Sequence, residues 1–412
     1  MNEAWKETYN MKYNFDEIID RSSTNSENVD GWRPYIFKDE PDRVFPIADE
    51  EFIRMWVADM EFAVAPEIRQ AIIDRVNRKI LGYTIVSDTG YYDALSSWCK
   101  ERYDMEFSQE ELVFSPGVIP ALYQFVEDLV GTDEKVITLT PAYGFFLHAC
   151  EYNDVELVSS PLLYREGRFE IDFEDFAEKA ADPKVRVLML CNPHNPAGRV
   201  WSREELIRVA EIAEANDLWI VSDEIHCDLL RTGLRHNPMA NVMPDYGKLI
   251  TCISASKSFN LAGMLHSNII IRDQEERQRF QDRDKNIGAA NPLSIAAHQA
   301  AYAHGAAWMD ELRIYLDENF RYTDSFIREN IPGAEFHIPE ATYFAWVDLS
   351  KVLPDVENLP LYFAEKAGVL LEGGDQLFVG NAAGHIRLNL AMPKQILAEG
   401  LKRIAAACNI CA

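Results

Sequence analysis

The chain has 412 residues, 67 acidic against 40 basic, for a formal charge of −27. With 48% hydrophobic and 26% charged residues it has ordinary globular composition, and at about 150 residues per domain its length suggests two or three domains. The acidic excess argues against nucleic acid and anionic lipid as partners, because both are bound by basic charge.

The first residues, MNEAWKETYN, contain no apolar core of a signal peptide, and no apolar run nears the roughly 18 residues of a bilayer span. A cytoplasmic protein is expected. The seven cysteines are odd in number and scattered, unlike a disulfide framework. Cys408 and Cys411 form a C-x-x-C without a second pair, which reads as thiols at a helix end rather than a metal site, so no metal is expected.

Residues 21–30, RSSTNSENVD, are the most polar stretch and read as a surface loop. From there the chain alternates β-rich runs with helical periods. The runs are Leu112–Ser115, Val136–Thr140, Val155–Ser159, Arg186–Cys191, Leu218–Ser222, Leu249–Ser254 and Asn268–Ile271. Several are apolar without alternation, as strands buried on both faces are. After Gly117, the residues Leu122, Phe125, Val126, Leu129 and Val130 mark one helix face. Ser202 with Glu205 reads as a capping box for a helix reaching about Asn216. From about Pro292 an Ala-rich helical region runs to about Asn330, followed by strands near Ala341–Asp348 and His385–Leu390. The fold class is α/β with a mostly parallel seven-stranded sheet and a smaller α+β domain. Residues 50–295 are expected to form the large domain, with 1–49 and 296–412 building the small one.

Ligands of open α/β sheets bind beyond the carboxyl ends of the strands. Those ends carry Pro116-Gly117-Val118-Ile119, Pro141-Ala142-Tyr143-Gly144, the run Asn192 to Gly198, Asp223-Glu224-Ile225-His226 and Ser254-Ala255-Ser256-Lys257. A phosphorylated aromatic cofactor would use each piece. The helix opening at Gly117, Val118 and Ile119 offers free N–H groups to a phosphate, and Ser254 and Ser256 offer hydroxyls. Tyr143 could stack on a ring, Asn195 could donate to a ring oxygen, Asp223 could pair with a protonated ring nitrogen, and Lys257 could form an imine. Pyridoxal 5′-phosphate (PLP) requires this set. Each has a plainer reading: Tyr143 as a turn aromatic, Asp223 as a helix cap, Lys257 as a surface lysine, His226 as a core histidine.

The motifs Asn195-Pro196-Ala197-Gly198, Asp223-Glu224-Ile225, Ser254-Ala255-Ser256-Lys257 and Arg387-Leu388-Asn389 resemble those of fold-type-I PLP enzymes of the class I/II aminotransferase family. Trp56-Val57-Ala58-Asp59-Met60, Gly82-Tyr83-Thr84, Ser115-Pro116-Gly117-Val118, Thr140-Pro141-Ala142-Tyr143 and Ser256-Lys257-Ser258-Phe259-Asn260 look most like the MalY/PatB type of cystathionine β-lyase. The resemblance runs from about Tyr13 to the C-terminal helix. It implies that Lys257 carries the cofactor, Asp223 pairs with the pyridine nitrogen, and Asn195 contacts the ring hydroxyl and the substrate side. Tyr143 and Ile225 would lie on the two ring faces, with His226 beside the cofactor. Arg387 would hold the substrate carboxylate. Tyr83 would reach the neighbouring subunit's cofactor, which implies a homodimer with shared sites, and Tyr143 or Tyr83 would assist at the leaving sulfur. The chain departs from the wider aminotransferase pattern at His226, usually Tyr, and at Leu265, often Arg; both agree with the lyase subgroup. Glu61 stands where that subgroup usually has Asp. The implied activity is β-elimination from an S-substituted L-cysteine. An aminotransferase on the same scaffold is the alternative, and a non-catalytic binding or regulatory protein is a further one.

Overall fold

The computed structural model describes residues 11–409 apart from 39, 41, 87–88 and 285–289; Cys411 of the C-x-x-C lies outside them. The large sheet has seven strands: β1 (Leu112–Ser115), β2 (Lys135–Thr140), β3 (Glu156–Pro161), β4 (Val185–Cys191), β5 (Trp219–Asp223), β6 (Leu249–Ile253) and β7 (Ser267–Ile271). Their spatial order is β1-β7-β6-β5-β4-β2-β3. Only β7 runs against its neighbours β6 and β1; the pairs from β6 to β3 are parallel. All seven expected strands are present, displaced by a residue or two at their ends. Strands β4, β6 and β7 are buried almost throughout, which is why their sequences show no polar alternation.

Helices cover both faces. Helix α1 (Pro66–Val76), α2 (Gly90–Tyr103), α3 (Val118–Leu129), α4 (Gly144–Tyr152), α5 (Phe173–Ala180), α6 (Arg203–Ala215), α7 (Gln274–Asp284) and α8 (Pro292–His304) accompany the large sheet. The expected stripe of α3 is its core face: Leu122, Phe125 and Val126 are at most 1% exposed, each burial contributing roughly 1.5–3 kcal/mol. The capping box of α6 forms as read, with Glu205 N donating to Ser202 Oγ at 3.1 Å and Ser202 N to Glu205 Oε2 at 2.7 Å.

The Ala-rich region is two helices, α8 and α9 (Ala306–Asn330), separated at Gly305. A side chain at Gly305 would collide with the Phe259 ring and the Ala301 carbonyl, so the junction requires glycine. A second sheet orders β8 (Phe344–Asp348), β10 (His385–Asn389) and β9 (Glu372–Gly373), all antiparallel. It packs with α9, α10 (Leu359–Ala367) and α11 (Lys394–Cys408) around its own core, which includes Phe320, Val347, Phe363, Leu388 and Leu401. Helix α8 instead shares the core of α1 and α2. Residues 21–30 are not simply a surface loop. Asn28 is buried, and its carbonyl accepts from Trp56 Nε1 at 3.3 Å.

No helix among the described residues is long and apolar enough to cross a membrane.

Candidate active site

A cavity of about 790 Å³ is lined by Ile119 beyond β1, Tyr143 beyond β2 and Lys257 beyond β6, together with Arg387 and residues of the segments 19–27 and 56–63; Asn195 and Asp223, at the ends of β4 and β5, are not among its lining residues.

Lys257 sits in a single helical turn, Ala255–Ser258, directly after β6. Its ammonium donates to the Ala58 carbonyl at 2.8 Å. Withdrawal from water, and then the charge of Arg387, lower its pKa to about 8, against the pull of Asp59 and Asp223. Asp223 ends β5, 7% exposed, and accepts the Ile225 N–H at 3.2 Å in an Asx turn rather than capping a helix. Burial raises its pKa to about 7, opposed by that N–H and by Lys257. His226, three residues further, is buried edge-on to Tyr343 and Phe344. Burial, then the charge of Lys257, holds its pKa down at about 3, so the ring is neutral at any working pH and is no general acid. Its Nδ1 has no hydrogen-bond partner among the described residues.

The turn 224–228 is fixed from beneath. Glu224, 1% exposed, takes Ser222 Oγ at 2.8 Å, His236 Nε2 at 2.7 Å and the Met239 N–H at 3.0 Å. Asp228 accepts from Trp98 Nε1 at 3.1 Å and Ser258 Oγ at 2.6 Å, and from Tyr103. Ser258 thereby ties the lysine turn to the aspartate turn.

Asn195 is 4% exposed after β4, and its Oδ1 lacks a hydrogen-bond partner among the described residues. Both Asn–Pro bonds of this loop, Asn192–Pro193 and Asn195–Pro196, are cis. The loop closes through Gly198 N to the His194 carbonyl at 2.7 Å and His194 N to the Arg199 carbonyl at 2.8 Å. Arg199, almost wholly buried, locks it with Glu205 at 2.9 Å and Glu340 at 3.0 Å. Gly198 has φ +63°, and a methyl group there would strike Pro339.

Gly117 precedes α3, whose first turn has no side-chain cap, so the N–H groups at Val118 and Ile119 stay available beside the cavity. Ser254 differs from the expectation of a phosphate hydroxyl. Its proton goes to the His266 carbonyl at 2.8 Å, while its oxygen caps Ser256 N at 3.1 Å. Ser256 is the hydroxyl left at that turn. Tyr143 lies beside Phe145, ring centroids 5.1 Å apart. Burial raises its pKa, so the phenol keeps its proton. Ile225 is part-buried.

Arg387 on β10 is 2% exposed, with its guanidinium 4.1 Å from the Phe344 ring centroid. Nη2 donates to the Trp56 carbonyl at 3.1 Å, and Nε and Nη1 have no hydrogen-bond partner among the described residues. Asn389, on the same strand face, donates to Val57 O at 2.7 Å and Asp59 O at 2.5 Å. Leu265 lines the rim, 68% exposed, in the left-handed region at φ +49°. Tyr83 is fully exposed and is not among the residues lining its own chain's cavity.

Three features were missed from sequence. Arg21 reaches into the cavity wall and pairs with Asp59 at 2.5 Å and Glu61 at 2.7 Å. Tyr35 and Glu372 also line the cavity. Arg21 and Tyr35 lie far along the chain from every motif. Glu372 stands in a two-residue strand that no periodicity marks.

Comparison with known proteins agrees with this geometry. Residues 50–404 match the family model described as aminotransferase class I and II. The chain is 36% identical to cystathionine beta-lyase PatB of Bacillus subtilis, over 96% of this chain and 99% of that one. It is 29% identical to protein MalY of Escherichia coli, over 94% and 97%. The crystal structure of a PLP-bound C-S lyase from Staphylococcus hominis superposes with a TM-score of 0.91 at 46% identity, covering 96% of this chain and 98% of the other. The chain belongs to the aminotransferase class I and II family.

Proposed function

We propose that this protein is a PLP-dependent carbon–sulfur lyase of the cystathionine β-lyase type. It converts L-cystathionine, or a related S-substituted L-cysteine, and water into a thiol, pyruvate and ammonia. The observation that carries the reading is one cavity holding a lysine of lowered pKa and a buried arginine with two unpartnered nitrogens, beside a buried aspartate, in a chain so similar to C–S lyases.

The residues fit PLP. Asp223 is a buried carboxyl with a single backbone donor, Asn195 Oδ1 is an orphaned buried acceptor, and the first turn of α3 is uncapped. Lys257 would hold the cofactor, Asp223 its ring nitrogen, Asn195 its ring hydroxyl, and α3 with Ser256 its phosphate. Tyr143 and Ile225 would flank the ring, with His226 as a neutral neighbour. When bound, PLP supplies the electron sink that makes the Cα proton acidic.

The chain's own groups do the rest. Arg387 takes the substrate carboxylate through Nε and Nη1, a planar two-point grip that fixes which bond at Cα faces Lys257. A lysine with a pKa of about 8 is substantially neutral near pH 8, and so can remove the Cα proton. Asp223, ionised opposite a cationic ring nitrogen, keeps that charge in place. Tyr143, which keeps its proton, or Tyr83 of the partner subunit would give a proton to the departing sulfur.

The reading extends to a homodimer in which Tyr83, fully exposed here, completes the partner's site. A cytoplasmic location belongs to the same reading. So does the division into 50–295 and 1–49 with 296–412. The separate core around β8 and β10 supports that division, while the packing of α8 on α1 and α2 pulls its boundary later in the chain.

The test incubates the holoenzyme with L-cystathionine, and separately with amino acids plus α-keto acids, following thiol, pyruvate and ammonia. Stoichiometric thiol and pyruvate are expected. Faster amino-group exchange than thiol release would make it an aminotransferase, and no turnover at all a binding protein. Borohydride reduction should fix the cofactor on a peptide containing Lys257; label elsewhere overturns the site.

A further inference from the structure

A second cavity, of about 310 Å³, lies between the second sheet and the loop that carries Asn195, and it shares no lining residue with the first. One wall is β8 and β10, with Trp346, Asp348 and His385. The other is residues 197–199 and the hairpin of Leu163–Arg165 and Arg168–Glu170. Asp348 and His385 are cross-strand partners, and Trp346 stands two residues before Asp348, so all three side chains share one face.

Each of the three has an unmet polar group. Trp346 is 8% exposed, yet its indole N–H has no acceptor among the described residues, where a buried indole ordinarily has one. Among those residues the Asp348 carboxylate accepts only the Ser350 N–H, at 2.8 Å, and it makes no ion pair. Lys351 is taken by Glu335 at 2.5 Å. His385 gives its Nδ1 proton to the Ala383 carbonyl at 2.9 Å, which leaves Nε2 of the neutral ring as an acceptor. The arginines are committed: Arg199 to Glu205 and Glu340, and Arg168 to Glu340. The rings of Tyr164, Phe169 and His337 complete the lining.

Two neighbouring acceptors and one donor, among aromatic rings, complement a flat heterocycle whose exocyclic amine adjoins a ring nitrogen. The amine has one N–H for Asp348 and one for His385, and the ring nitrogen takes the indole proton. A carboxylate without a cation, beside arginines already paired, offers nothing to a phosphate. We propose that this cavity is an effector site for an amino-substituted heteroaromatic base, as the free base or its nucleoside and not its nucleotide. Residues 197–199 continue the loop of Asn195, and Trp346 is paired in register with Arg387. An occupant therefore braces the loop and the strand that carry both substrate-binding groups of the proposed lyase, and lowers KM. The binding itself does not depend on the lyase reading.

The experiment titrates the PLP-loaded protein calorimetrically with adenosine, adenine, inosine and adenosine 5′-monophosphate. For a ligand of this size Kd for adenosine should be on the order of 0.1 mM. Inosine, with oxygen in place of the amine, and the monophosphate should each bind at least about tenfold more weakly. Trp346→Phe, which keeps a ring, and Asp348→Asn, which keeps the acceptor for Ser350, should each weaken adenosine by about tenfold and leave kcat without adenosine unchanged. Saturating adenosine should lower KM for L-cystathionine by about fivefold in the wild type and not in the variants. Absence of adenosine and adenine binding overturns the proposal. So does inosine or the monophosphate binding as tightly as adenosine, or wild-type affinity in both variants. An unchanged KM with adenosine bound overturns the effector role. Adenosine binding that depends on Trp346 and Asp348, with no turnover of L-cystathionine, would sustain the site and remove the lyase reading.

Discussion

Replacing Asp223 with asparagine should have opposite consequences in the apo and holo proteins. Asp223 is buried, and its pKa is raised from 3.8 to about 7 chiefly by that burial. In the apo fold the carboxyl therefore prefers its proton, while in the unfolded chain it ionises near pH 4. Between those values the folded state binds the extra proton, so stability falls as pH rises and levels off above pH 7. At about 1.4 kcal/mol per pH unit the full penalty is on the order of 4 kcal/mol, and about 2 kcal/mol of it develops between pH 5.5 and 8.5. Asp223→Asn keeps the shape and removes this titration. Apo Asp223→Asn should thus lose about 2 kcal/mol less stability than apo wild type over that interval, measured by urea unfolding at both pH values. With PLP bound the order reverses. The carboxylate acquires a cation to face, and asparagine removes charge stabilisation worth a factor of about 10² to 10³ in kcat. Equal pH slopes in the two apo proteins would refute the burial argument. A holo variant within a few-fold of wild-type kcat would refute the assignment of Asp223 to the ring nitrogen.

Arg387→Lys keeps the charge but loses the two-point grip, so KM for the substrate should rise at least about tenfold with a smaller change in kcat, read from steady-state kinetics of thiol release. Gly198→Ala forces a side chain into φ +63° and against Pro339, and should destabilise the fold by more than about 1 kcal/mol while moving Asn195. Denaturant unfolding together with the absorbance of the bound cofactor would show both effects; unchanged stability and spectrum would mean that the loop relaxes freely.

The parts of the molecule legible from sequence are those with local signatures. Strands β4, β6 and β7 announced themselves because a strand buried on both faces must be apolar throughout. Ser202 and Glu205 announced α6 because a capping box needs only four consecutive residues. The candidate groups Tyr143, Asn195, Asp223 and Lys257 were legible because each stands at or just beyond a strand end. The engagement of Ser254 was not legible because a hydroxyl's partner depends on an acceptor across the fold, here the carbonyl of His266. The break at Gly305 depends on Phe259, and the reach of Arg21 into the cavity depends on Asp59 and Glu61. Glu372 shows the limit most clearly. Nothing in its own neighbourhood marks it, and its meaning comes from the strand laid beside it.

The segment Trp56–Met60 has one property whose reach is wider than the site itself. Its carbonyls are held by side chains from three regions of the chain. Arg387 takes Trp56, Asn389 takes Val57 and Asp59, Tyr343 and Lys257 both take Ala58, and Asn260 takes Met60. Lys257 and Arg387, proposed as the reactive amine and the carboxylate grip, are thus mounted on one strap. Substitutions along it will shift proton removal and substrate anchoring together, and selection on either trait will drag the other.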